Sequence, residues 1–360
     1  MGERRLDRRA LNRAYLARQL LLERRPLEPA EALQHLVGIQ AQSPQAPYVG
    51  LWSRLEGFDP KELSRLLEER RAVRIALLRS TIHLVTAEDS LEIRPLVQGV
   101  IERQLEGNYG RDLEGLDLDE VATFGRALLG EEARTLGQLE PVLAERWPGR
   151  DPHAVAMALR ALLPLVQLPP RGLWGRAGAP RVAPADAWLG RDLAAQPSVE
   201  RLVLRYLAAF GPASPKDAQV WSGLTRLGEV FERLRDRLRS FRDENGVELL
   251  DVEDGPLPDP DTPAPPRFLP EYDNALRSHA DRSRIGRRED VGRVFTKGAL
   301  LVDGFLAGRW RTTRAGRSRT LEIELFERLP KAERAAVVAE GEALLGDLAP
   351  EAGRRRIAFV

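Results

Sequence analysis

With 360 residues, 43% hydrophobic and 30% charged, the chain is long enough for two or three packing units and apolar enough to bury their cores, which excludes wholesale disorder. The absence of cysteine excludes a disulfide framework, thiol catalysis, iron–sulfur clusters and cysteine-ligated zinc. No apolar run approaches the roughly 18 residues that span a bilayer, and Met1-Gly-Glu-Arg-Arg has no signal-peptide character, so a cytoplasmic protein is expected.

Taken in chain order, Leu11 to Leu22 has helical periodicity and stops near Pro26. Pro29 to Gln40 starts another helix, with apolar Ala32, Leu33, Leu36, Val37 and Ile39, and Ser43-Pro-Gln-Ala-Pro47 breaks it. A short helix is expected over Tyr48 to Leu55. Asp59 caps a third over Pro60 to Arg70, and Val73 to Val85 holds two β segments. Helices followed by a two-stranded ribbon make a winged helix-turn-helix.

The order returns twice. Thr135-Leu-Gly-Gln138 is a capping box for a helix to Trp147, Asp151-Pro152 caps a helix to Leu163, and Leu165 to Trp174 with Arg181 to Ala183 forms a second ribbon. Ser214-Pro-Lys-Asp217 caps a helix ending at Gly223, Leu227 to Arg242 is the next helix, and Val247 to Val252 with Arg267 to Tyr272 are expected as a third ribbon. Asp251 to Pro266, with five acids and six prolines, is expected as an exposed loop between those strands.

After Ser283 the pattern turns to short strands: Val294 to Thr296, Ala299 to Val302, Phe305 to Arg311 and Arg319 to Phe326. Lys331 to Leu345 is a final helix, and Arg355 to Val360 can close the sheet. The expected fold is therefore α+β: three tandem winged helix-turn-helix modules (1–112, 113–196 and 197–283) and a small β-barrel-like C-terminal domain (284–360), together C-shaped.

The net charge of +1 gives no nucleic-acid signal, but its distribution does. From His279 to Thr320 eleven basic residues face four acidic ones, a candidate polyanion footprint.

Several stretches match a known family in order along nearly the whole chain: Gly38-Ile-Gln-Ala-Gln42-Ser-Pro, Leu77-Leu-Arg-Ser-Thr-Ile-His-Leu-Val85 followed by Ala87-Glu-Asp89, Gly211-Pro-Ala-Ser-Pro-Lys-Asp, Leu269-Pro-Glu-Tyr-Asp-Asn274, Ser278-His-Ala-Asp-Arg-Ser283, and Leu301-Val-Asp-Gly-Phe-Leu-Ala-Gly-Arg-Trp310. They resemble the tandem winged-helix DNA glycosylases of the AlkZ/YcaQ type. Enzymatically active members carry a Gln-apolar-Gln or Gln-apolar-Asp motif in the first winged helix, and Gln40-Ala41-Gln42 matches the first form. The resemblance implies catalysis by Gln40 and Gln42 on N7-alkylated purines, including bulky adducts and interstrand crosslinks. It implies double-stranded DNA as partner, a place in DNA repair at the nucleoid, and no cofactor or metal.

The chemistry is consistent with neutral amides. An N7-alkylated purine is already cationic, so its glycosidic bond breaks toward an oxocarbenium-like sugar without a strong acid; what remains is placing water. Glutamine carbonyl oxygens can accept from that water and put negative partial charge near the developing cation. Residues i and i+2 share a side only on extended backbone, since on a helix they diverge by about 200°. Pro44 favours extended backbone just before it.

The expected DNA contacts are Ser43, Arg79, Thr81, His83, Arg282, Arg284, Arg309 and Arg311, the arginines through phosphates. Thr81 and His83 share a strand face; His83 can touch a phosphate or water, although a packed, hydrogen-bonded histidine is the commoner outcome. Glu271 and Asp273 are an acid–base pair or, in the favoured reading, turn caps. The turn at Asp303 to Gly308 can reach a groove, with Phe305 or Trp310 as wedges, although strand aromatics more often belong to a core. Four histidines, none spaced at i, i+3 or i+4, give no zinc signature, and there is no phosphate loop or nucleophile elbow. The rival class is a non-catalytic winged-helix DNA-binding protein, regulatory or architectural. The lack of a heptad or separate oligomerisation helix favours a monomer.

Overall fold

A computed structural model describes residues 4–294 and 296–360. The fold is α+β, with helices around three small sheets. The first sheet has the order Ile39–Gln40, Ile82–Thr86, Ala72–Ala76, Leu165–Gln167 and Val182–Pro184, all antiparallel. The two expected ribbons are therefore joined edge to edge, with Ile75 opposite Val166. Their inward Val73, Ile75, Val85 and Val166 are buried in one core.

Helix starts follow local chemistry. Asp59 Oδ1 accepts from the Lys61 amide ahead of helix Pro60–Glu68, and Asp151 does the same for His153 ahead of Pro152–Leu162. The Thr135 and Ser214 capping boxes form as expected, opening helices Leu136–Arg146 and Pro215–Ser222. Pro29–His35 is shorter than expected: Val37 and Gly38 take positive φ, and the chain leaves the helix as strand Ile39–Gln40.

The third ribbon also differs from expectation. Helix Leu227–Leu234 ends early, and strands Leu238–Arg242 and Glu248–Val252 form the hairpin, with Arg4–Arg5 alongside. The Asp243 side chain accepts from the amides of Asn245 and Val247, so the Asn245-Gly246 turn supplies the reversal. Arg267–Leu269 pairs instead with Gly298–Val302 in the C-terminal sheet.

That sheet runs Arg354–Phe359, Ser318–Leu325, Phe305–Ala315, Gly298–Val302, Arg267–Leu269. Its outer strands do not pair, so it is an open sheet and not a barrel, with helix Lys331–Leu348 packed on one face. The strand expected at Val294–Thr296 includes Phe295, which lies outside the described residues; helix Arg288–Arg293 precedes it.

Helix Arg8–Arg18 joins these parts. Arg18 makes a fully buried bidentate pair with Asp251 at 2.8 and 2.9 Å, and Asn12 donates to the carbonyls of Arg284 and Gly304. Arg13 donates to the Thr262 carbonyl, so the proline-rich segment, a largely exposed loop as expected, is tied along this helix. The Asp303-Gly304 turn is held there too, because Asp303 accepts from Arg9 and Arg13. Asp303 itself stays half-exposed, and the turn lines a shallow groove of the protein surface with Phe305 and Ala307.

Among the described residues no helix is long and apolar enough to cross a membrane, and no cluster of three or more His, Asp or Glu could hold a metal.

Candidate active site

Gly38 positions the motif. Its φ of +84° ends the preceding helix, and a Cβ there would lie 2.3 Å from Val85 Cγ1, so only glycine lets the chain turn this close to the ribbon. Asn274 Nδ2 donates to the Gly38 carbonyl at 2.8 Å and holds the turn from outside. Ile39–Gln40 then joins the sheet, with Gln40 opposite His83, and the Ala41 amide continues the pairing to the Ile82 carbonyl at 2.7 Å. The backbone at Gln40 is therefore extended.

The two amides differ. Gln40 is buried, and its Oε1 accepts from Arg79 Nη2 at 2.9 Å. Gln42 is exposed, and its Oε1 meets the Ile82 amide only at 3.4 Å, a long contact that leaves the side chain free to turn. Ser43 is half-buried, and its carbonyl accepts from Ala46 as helix Ala46–Trp52 starts.

Arg79 and Ser80 sit consecutively in the left-handed region, φ 53° and 58°, a cost of about 1–2 kcal/mol each for side chains with a Cβ. Arg79 also donates to the Trp221 carbonyl at the end of helix Pro215–Ser222. Burial lowers its guanidinium to about 10, and the charges of Arg277 and Arg282 add to this. Arg79 thus bonds Gln40 within reach of the charges of two further arginines.

His83 is buried, and burial, with the charge of Arg79, drives it down to about 3. Its Nδ1 lies 2.9 Å from the Thr81 carbonyl, which can only accept, so Nδ1 carries the proton and Nε2 is the bare acceptor. The Thr81 hydroxyl donates to the Leu78 carbonyl. Both residues are thus packed parts of the ribbon, neighbouring the motif.

The remaining candidates are placed elsewhere. Arg282 lines a groove of about 1020 Å³ between the third ribbon's turn and the segment 280–288, whereas Arg284 is buried and donates to the Pro212 carbonyl. Arg309 and Arg311 lie on the C-terminal sheet, each paired with the glutamate directly across the ladder, Glu324 and Glu322. Asp273 is a turn cap: it accepts from the Ala275 amide and forms a buried bidentate pair with Arg54 at 2.9 and 2.7 Å. Trp310 is fixed in the sheet by donating to the carbonyls of Leu269 and Ala299, and Arg8 lies over the Phe305 ring.

Arg74 escaped sequence reasoning. It is buried on strand Ala72–Ala76, donates from Nη2 to the Ala41 carbonyl at 2.8 Å, and is lowered to about 10 by burial, with Arg171 contributing. The available signal was a lone charge inside an otherwise apolar strand.

The solved structure of Streptomyces sahachiroi DNA glycosylase AlkZ superposes on this chain with a TM-score of 0.75 at 17% identity, covering 99% of this chain and 100% of that one. No curated protein sequence matches. The DNA glycosylase AlkZ-like family model matches residues 33–346, which include Gln40, Gln42 and all their partners named above. The chain belongs to the AlkZ-like DNA glycosylase family.

Proposed function

We propose that this DNA glycosylase hydrolyses the N-glycosidic bond of N7-alkylated purines in duplex DNA, including interstrand crosslinks, through water placed by Gln40 and Gln42. The C1′–N9 bond breaks, its electron pair neutralises the cationic purine, and the water oxygen bonds to C1′ while its proton leaves to solvent. No covalent enzyme intermediate forms, so the enzyme is monofunctional. Supporting this is the placement of two neutral amides at a strand end, Gln40 on extended backbone and Gln42 just beyond it, beside a histidine that burial keeps neutral. The carboxylate alternative is weak, because Asp273 is committed to Arg54.

In this reading 1–112, 113–196 and 197–283 are three winged helices and 284–360 the C-terminal β unit, curved in a C around the duplex. The protein works as a monomer on nucleoid DNA in the cytoplasm. Arg282, beside the groove, is the best placed of the expected arginines for a phosphate.

Single-turnover release of 7-methylguanine from a methylated duplex tests the reading. The wild-type chain releases base and Gln40→Ala/Gln42→Ala does not; equal rates would remove the assignment to these amides.

A further inference from the structure

We infer that Arg79 is a positioning residue: it fixes the Gln40 carboxamide with oxygen turned inward and NH2 presented outward, leaving Gln42 to accept from the attacking water. This rests on the proposed role of the two amides and divides their labour.

A guanidinium has donors only, so the Gln40 atom 2.9 Å from Arg79 Nη2 must be the carbonyl oxygen. The amide orientation is thereby set by chemistry, and the NH2 is the end available to a bound ligand. Gln42 differs in each respect: it is exposed, and among the described residues its side-chain oxygen meets a backbone amide at the long distance of 3.4 Å. A water held between them donates to Gln42 Oε1 and accepts from Gln40 Nε2, which aims an oxygen lone pair at C1′.

Arg79 is anchored from a remote part of the chain. Its other nitrogen donates to the Trp221 carbonyl. The next turn passes so close that a Cβ on Gly223, itself at φ +82°, would lie 3.3 Å from Arg79 Cα and 2.8 Å from Val100 Cγ1. The helix-turn-helix at 215–234 therefore buttresses the left-handed turn at Arg79 and, through it, Gln40. A surface arginine meant for phosphate would need neither the strained backbone nor a carbonyl anchor.

The test uses the full chain with its glutamine side-chain amides labelled with 15N, the Gln40 NH2 signal being assigned by its loss in Gln40→Ala. In Arg79→Met, which keeps length but donates nothing, the Gln40 signal moves to the position of a solvent-exposed amide. Single-turnover base release falls roughly 100-fold, the scale of a misplaced catalytic group, at unchanged duplex Kd. Arg79→Lys restores part of both. Gln40→Glu, still held by Arg79 but presenting an acceptor in place of a donor, is as slow as Gln40→Ala. An unmoved Gln40 signal, or a raised Kd with an unchanged rate, overturns the inference, the latter making Arg79 a phosphate contact. A Gln40 signal that moves in Arg79→Met, while the wild-type chain itself releases no base, upholds the positioning and overturns the glycosylase chemistry instead.

Discussion

Arg74 Nη2 lies 2.8 Å from the carbonyl oxygen of Ala41, so a buried cation holds the middle of the Gln40-Ala41-Gln42 segment. Among the described residues no carboxylate pairs with it; its other polar neighbour is Gln167 Oε1 at 3.3 Å. Burying a charge this way opposes folding, and replacing such a charge by an apolar side chain of similar volume is often neutral or stabilising. Arg74→Met should therefore melt at the same temperature or higher while releasing alkylated base at least roughly tenfold more slowly. A stable variant with wild-type rate would show that Ala41 needs no donor.

The rate of base release should be flat with pH from about 6 to about 8, because neither amide titrates and His83, held near 3, stays neutral throughout. A bell-shaped single-turnover profile in that window would point to an acid–base pair and away from the amides. For the same reason a neutral lesion, which needs its base protonated before departure, should be a poor substrate beside a cationic one.

Stability, unlike rate, should respond to acid. His83 and His279 are both buried, and burial lowers each from 6.5 to about 3. Between those values the unfolded chain binds more protons than the folded one, so stability is full above about 6.5 and falls as pH drops toward 3. The urea midpoint should be lower at about pH 5 than at about pH 7, and His83→Gln should show a smaller difference. Equal midpoints would mean that the two imidazoles are hydrated.

Arg54 and Asp273 form a buried pair that links the helix Ala46–Trp52 region to the turn carrying Asn274, which in turn holds Gly38. Arg54→Ala strands Asp273 in the interior, a loss of about 3–5 kcal/mol. Thermal unfolding should show it, and Arg54→Ala/Asp273→Ala should recover part of the loss. A double variant as unstable as the single would mean that the arginine's other bonds, to Gly50 and Gln19, dominate.

Helix starts were legible in the sequence because a cap is a local device: Asp59, Thr135, Asp151 and Ser214 each satisfy amides within three residues. Strand partners were less so. Arg267–Leu269 carries nothing that prefers Glu248–Val252 over Gly298–Val302, and its pairing is decided by the core on which Phe268 packs. The apolar periodicity of Leu227 to Arg242 suggests one continuous helix, whereas the chain turns at Asn245-Gly246 and pairs Leu238–Arg242 with Glu248–Val252. For the site, the extended backbone expected from Gln40 to Gln42 is found at Gln40, set by the Gly38 turn and the pairing with His83 more than by Pro44, whereas the sequence shows neither that Arg74 holds Ala41 nor that Arg79, expected at a phosphate, holds Gln40. Arg74 and Arg79 reach the motif only because two distant strands lie beside it.

The edge-to-edge joining of Ala72–Ala76 with Leu165–Gln167 has a consequence for how lesion preference can change. Gln40 lies two strands from that seam, so a substitution that displaces Leu165–Gln167 should reach the amide through the shared hydrogen-bonded ladders. Variation in the second ribbon should thus act on the first from a distance, and chimaeras that exchange residues 113–196 between relatives should keep their activity only when the pairing of Ile75 with Val166 is preserved.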